Sequence, residues 1–101
     1  MLNKLQAISD RLEAVVTQME DPATYADPDL LRRLTREQKE LEPVVEAYRA
    51  YGQAEADLAS AQELLSDPEM KEMAQEEIQR AKADMERLRE ELKLLLLPRD
   101  P

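Results

Sequence analysis

Four cationic side chains lie close together in the first half of the sequence, where they can bind phosphate. They are Arg32, Arg33, Arg36 and Lys39. At about 100° per residue, Arg32, Arg36 and Lys39 fall on one face of a helix. An exposed basic cluster of this kind can hold phosphate, and so can contact RNA or a partner. The alternative is a solvated face whose charge is balanced by Glu37 and Glu40.

Carboxylates in the last third of the sequence offer the other possible chemistry. Glu72, Glu76 and Glu77 approach one another on a helix, as do Glu90 and Glu91. A metal site or an acid–base pair needs such groups to be buried and to converge. These residues fall off the apolar stripe of their segment. We therefore interpret them as a solvated acidic face and predict no metal site.

The composition excludes most other catalytic chemistry. The sequence has no histidine and no cysteine. It therefore lacks the commonest general base, a thiol nucleophile, thiolate metal ligands and disulfides. Its single glycine, Gly52, cannot form a loop that cradles phosphate. We predict that the chain is not an enzyme and that it uses no cofactor and no small-molecule substrate.

The overall charge and hydropathy restrict the partners and the compartment. The formal net charge of −9 argues against the whole chain as a nucleic-acid binder, because phosphates would repel it. No apolar run approaches the roughly 18 residues that a membrane span needs. Residues 1–4 lack the apolar core of a signal peptide. We predict a cytoplasmic protein that makes no membrane contact.

The apolar pattern predicts an all-α fold. Apolar residues recur in steps of four and three over residues 2–20, 28–65 and 68–97, which is typical of amphipathic helices. We expect an antiparallel three-helix bundle with coiled-coil-like packing, in which the outer helices lie along the two halves of a long middle helix. Pro43 should kink this helix without breaking it, because the stripe keeps its phase.

Residues 1–97 are expected to form this bundle, and residues 98–101 to begin a linker to missing downstream domains. Met70, Met73 and Met85 are interpreted as core filling. Tyr48 and Tyr51 are interpreted as core or rim residues, because acidic neighbours make a base-stacking platform a poor fit.

The segment between the second and third predicted helices contains the signals of a tight turn. Asp67 is predicted to be the N-cap of the third helix and Pro68 its first residue, with Glu69 in the favourable first turn. Asp27 and Pro28 repeat the same signal at the start of the middle helix.

Two stretches carry a resemblance to a known family. They are residues 65–77, Leu-Ser-Asp-Pro-Glu-Met-Lys-Glu-Met-Ala-Gln-Glu-Glu, and residues 95–101, Leu-Leu-Leu-Pro-Arg-Asp-Pro. Residues 1–5 and 34–37 fit the same pattern. The sequence resembles the N-terminal domain of bacterial class I peptide chain release factors, more narrowly the type that reads UAA and UAG. Arg99 stands where the tail of the family has lysine.

The resemblance implies a helical bundle that precedes the rest of a translation termination factor. The full factor binds the ribosomal A site at a stop codon and promotes hydrolysis of peptidyl-tRNA. The resemblance places its Gly-Gly-Gln loop, which promotes hydrolysis, and its codon-reading Pro-x-Thr tripeptide in later domains. We therefore expect neither motif in residues 1–101.

The resemblance also implies partners for the domain itself. It would lie near the large-subunit stalk base, beside the stalk-base protein and its rRNA, and would influence the class II release-factor GTPase. No motif assigns these contacts to residues, so the four cations are candidates on charge alone. The alternative function is a helical oligomerisation or adaptor module with no ribosomal role.

Overall fold

The computed structural model describes residues 2–98 and shows four α-helices and no strand in that range. The helices are α1 (Leu2–Met19), α2 (Pro22–Tyr25), α3 (Pro28–Leu64) and α4 (Lys71–Leu95). The predicted all-α helical bundle is confirmed. Residues 99–101, which make up most of the predicted linker, lie outside the described residues.

A one-turn helix, α2, lies between α1 and α3, in residues 21–27, for which the apolar pattern predicts no helix. A carboxylate oxygen of Asp21 accepts a hydrogen bond from the backbone N–H of Ala23 at 2.9 Å, and Pro22 follows Asp21 at the start of the turn. This is the N-capping arrangement that Asp-Pro favours. An Asp-Pro capping signal is therefore also present at residues 21–22, in addition to those predicted at residues 27–28 and 67–68.

The long helix α3 begins as predicted and continues without interruption past Pro43. Asp27 accepts a hydrogen bond from the backbone N–H of Leu30 at 3.2 Å, which confirms it as the N-cap. Pro43 has no N–H, so the carbonyl of Lys39, four residues earlier, lacks its usual helical donor. The prediction that Pro43 does not break the helix is confirmed.

The same Asp-Pro signal acts differently before α4, which begins at Lys71 and not at Pro68. Asp67 accepts a hydrogen bond from the N–H of Glu69 at 3.0 Å, and its carbonyl accepts one from Met70 at 3.1 Å. These bonds close a turn one residue before the helix, in the manner of an Asx turn. The prediction that Asp67 is the N-cap of this helix is wrong, since Met70 occupies that position without a side-chain cap.

The chain divides into two compact units, and the first comprises Met1–Glu46. Its helices are α1, α2 and the first part of α3. Its core is built from branched aliphatic side chains that are 0–9% exposed: Leu5, Leu12, Val15, Leu34, Val44 and Val45. In α1 they are seven and three residues apart, and in α3 Val44 and Val45 follow Leu34 by ten and eleven residues. These intervals are close to whole numbers of helical turns, so they place the residues on one face of each helix. The first and middle predicted helices therefore pack together as expected.

The second unit, Ala47–Pro101, contains the rest of α3 and the whole of α4. Five alanines are buried in it: Ala47, Ala54 and Ala61 of α3, and Ala74 and Ala81 of α4. Within each helix they recur every seven residues. Ile78, Leu88 and Leu92 complete this core. Because alanine side chains are short, the two helices can approach closely along this seam.

Met73 is 57% exposed, so its interpretation as core filling is wrong. It lies one residue before the buried Ala74, about 100° round the helix from the centre of the stripe. Leu94 and Leu97, near the end of the described chain, are also largely exposed. No helix within residues 2–98 is long and apolar enough to cross a bilayer.

Candidate functional site

The four cationic side chains that the sequence suggests as a phosphate contact all project into solvent from the first three turns of α3. Each of them is exposed, whereas Leu34 is buried and only 3% exposed. Arg32 and Arg36 lie roughly on the opposite side of the helix from Leu34. The packing of Leu34 in the core of the first unit therefore turns the cations outward.

The structure brings three of the four cations together at one shallow groove. Arg32, Arg36 and Lys39 line it, with Leu31 and Thr35 at its side. The fourth cation, Arg33, does not line the groove, because it lies about 100° round the helix from Arg32. We call Arg32, Arg36 and Lys39 the basic face.

The cations of the basic face are only weakly neutralised. Arg32 forms an ion pair with Asp29, one turn earlier in α3. No carboxylate of the described residues lies within 4.0 Å of Arg36 or Lys39. Exposed cations of this kind remain available to a phosphate, which several donors can contact at once.

The predicted charge balance between this cluster and Glu37 is wrong. Glu37 instead binds Arg11 of α1 through two hydrogen bonds of 2.7 Å, from the Nε and Nη2 atoms to its two carboxylate oxygens. These bonds hold the pKa of Glu37 below its ordinary value and raise the pKa of Arg11. Glu37 is therefore paired within the first unit, and its charge does not neutralise the basic face, which stays positive.

The carboxylates of α4 behave as a solvated face. Arg89 pairs with Glu86 at 3.0 Å and Lys93 with Glu90 at 3.1 Å, as their spacing predicts. Arg80 pairs with Glu77 at 3.2 Å, and not with Glu76, although Glu76 and Arg80 have the i,i+4 spacing of a helix-surface ion pair. Within residues 2–98, no three acidic side chains converge in a way that could hold a metal ion.

Tyr51 is occupied by a contact within the second unit. Arg89 donates a hydrogen bond from Nη2 to the Tyr51 hydroxyl at 3.0 Å, and its guanidinium carbon lies 5.9 Å from the ring centroid. The hydrogen bond raises the pKa of Arg89. Both Tyr48 and Tyr51 are half-buried, which confirms them as rim residues.

The expected absence of a Pro-x-Thr tripeptide is wrong, because Pro22-Ala23-Thr24 has that pattern. In the structure these residues form α2, and Thr24 is only 3% exposed. Its hydroxyl donates to the carbonyl of Gln18 at 2.7 Å, which ties the end of α1 to the turn. A buried hydroxyl with an internal partner cannot read a base, so this tripeptide has a structural role.

The PCRF domain family matches residues 8–101, which is nearly the whole chain. The chain therefore belongs to this family, the domain of class I peptide chain release factors. This membership gives the chain a release-factor role in translation termination and implies association with the ribosome.

Proposed function

We propose that this chain is the N-terminal domain of a class I release factor that reads UAA and UAG, and that it works by contact rather than by chemistry. The factor would recognise these codons in the ribosomal A site and promote peptidyl-tRNA hydrolysis through other domains. The family match supports the termination role. Residues 65–77 and 95–101 support the UAA and UAG type through their resemblance to it.

The domain's own contribution would be a contact near the large-subunit stalk base, with the stalk-base protein and rRNA, and with the class II release-factor GTPase. The single observation that carries the RNA contact is the basic face. It stays exposed and largely unpaired on a chain whose net charge is −9. A protein that binds ribosomes in this way would act in the cytoplasm, and the proposal includes that compartment.

Charge reversal tests the basic face in the full factor. We expect the variant Arg32→Glu, Arg36→Glu, Lys39→Glu to bind ribosomes more weakly and to retain its helical circular dichroism. Each lost phosphate contact should lower the slope of log K against log salt by about 0.7–0.9. Binding is measured by pelleting or anisotropy over a salt series.

A matched control carries the same charge change on α4. Arg80, Arg87 and Lys93 are exposed and pair with carboxylates of their own helix. Reversing these three to glutamate should leave the salt slope unchanged. If the basic-face variant binds with the parent affinity and slope, the proposed RNA contact is wrong.

A second measurement separates this proposal from the oligomerisation module. The 101-residue chain and the full factor are pelleted with ribosomes, and the chain is examined by sedimentation velocity. We expect the chain to co-pellet more weakly than the full factor. Strong self-association without any ribosome binding would favour the oligomerisation module.

A further inference from the structure

An apolar groove lies at the turn end of the second unit, on residues that the proposed RNA contact does not use. Leu64, at the end of α3, and Met73, in the first turn of α4, line it and are 40% and 57% exposed. The short side chains of Ala61 and Ala74 leave room between them. The buried alanines therefore form the floor of the groove, and the exposed side chains of Leu64 and Met73 form its apolar walls.

The size of the groove indicates a protein segment as its occupant. Its volume is about 240 Å³ and it is open to solvent. Pockets for small molecules usually measure roughly 300–1,000 Å³ and enclose most of the ligand. A side chain presented by another protein needs only such a local recess, and exposed methionine adapts its shape to the incoming side chain.

The charge around the groove indicates the sign of the partner. Residues 55–77 contain eight carboxylates and one lysine, and so hold seven of the nine net negative charges of the chain. Two of these acids, Asp57 and Glu77, line the groove itself. Arg80 pairs with Glu77 at 3.2 Å, which offsets only one of the eight charges. The surroundings repel nucleic acid and attract a cationic surface.

We propose that this groove, formed by Leu64, Met73, Ala61 and Ala74 with Asp57 and Glu77 at its edge, binds a cationic amphipathic helix of a protein partner. An apolar residue of that helix enters the groove, and flanking lysines or arginines face the acidic edge. A second copy of this chain would bring the same negative charge to the contact. The proposal uses no residue of the basic face and holds whether or not that face contacts RNA.

The first test uses a labelled synthetic helix with leucines on one face and lysines on the other. We expect saturable binding to the chain by fluorescence anisotropy, with amide shifts in NMR spectra centred on Leu64 and Met73. The double variant Leu64→Ser, Met73→Ser should weaken binding about tenfold or more, because exposed apolar anchors dominate such contacts. Circular dichroism checks that the variant keeps its helices.

A matched double variant controls for general loss of apolar surface. Leu94 and Leu97 are 70% and 59% exposed and do not line the groove. The change Leu94→Ser, Leu97→Ser should leave the affinity of the peptide unchanged. Equal weakening by both double variants, or amide shifts centred elsewhere, would overturn the proposal.

The second test examines charge. Asp57→Asn with Glu77→Gln should reduce both the affinity and its dependence on salt, and a peptide with glutamates in place of lysines should not bind. Binding of the acidic peptide with equal affinity would overturn the cationic assignment. Dimerisation of the chain that Leu64→Ser, Met73→Ser abolishes would identify a second copy as the occupant and would also overturn the proposal.

Discussion

At the scale of single residues, Arg11 and Glu37 decide how much charge α3 presents to solvent. Their two hydrogen bonds of 2.7 Å remove Glu37 from the surroundings of the basic face. The cluster of cations is visible in the sequence because its members lie within eight residues. The pair that removes the balancing charge joins residues 26 positions apart, and no local pattern of charge reveals it.

The ion pair predicts a pH dependence of stability. Because the pKa of Glu37 is lowered in the folded state, the pair stabilises the fold above the ordinary glutamate pKa. That contribution is lost as the pH falls through the lowered value. Glu37→Gln should therefore lower Tm slightly at neutral pH, and the difference from the parent should vanish in acid.

The loss should be small because the side chains of Arg11 and Glu37 are 49% and 33% exposed. Glu40→Gln is the control, since Glu40 is exposed and pairs with no cation of residues 2–98. Thermal unfolding followed by circular dichroism across pH measures both variants. A difference between Glu37→Gln and the parent that persists in acid would contradict this account of the pair.

At the scale of elements, the sequence predicts the existence of the long helices better than their ends. The apolar stripes give α1, α3 and α4 because they extend over many turns. Asp27 and Asp67 precede proline in the same way, yet only Asp27 caps the helix directly. The difference depends on the backbone path of the turn before α4, which places Met70 at the N-cap position.

The alanine seam between α3 and α4 predicts that the same substitution changes stability very differently at two nearby positions of α4. Ala81 is 3% exposed and lies in the seam, whereas Ala83 is exposed two residues later. Ala81→Leu should destabilise the fold by about 1–3 kcal/mol, because the added carbons have no space. Ala83→Leu should barely change the free energy of unfolding, because position 83 is exposed and because alanine and leucine both favour helix.

Urea denaturation with fitted m-values compares these two variants. Equal free energies of unfolding for the Ala81→Leu and Ala83→Leu variants would show that α3 and α4 do not pack as closely as buried alanines allow.

At the scale of the whole molecule, two cores of different chemistry stabilise one chain. The first unit is held by branched aliphatic side chains and the second mainly by alanine with a few larger residues. The sequence indicates this change of composition along α3. It does not indicate a boundary between Glu46 and Ala47, because α3 continues through that point.

Separate cores predict separate responses to core mutation. Leu34→Ala in the first unit and Leu92→Ala in the second should each cost about 2–5 kcal/mol, since both side chains are buried. Hydrogen exchange followed by mass spectrometry should show the larger loss of protection within the mutated unit. Leu94→Ala, at a residue that is 70% exposed, should change stability by no more than about 0.5 kcal/mol.

The order of the two units along the chain has a consequence for synthesis. Each unit is made of consecutive residues, and the first is complete at Glu46. Its contacts therefore close short loops, which favours fast folding because little chain entropy is lost before the contacts form. The contacts that hold the first unit together can consequently form before those of Ala47–Pro101, whose residues are added later during translation.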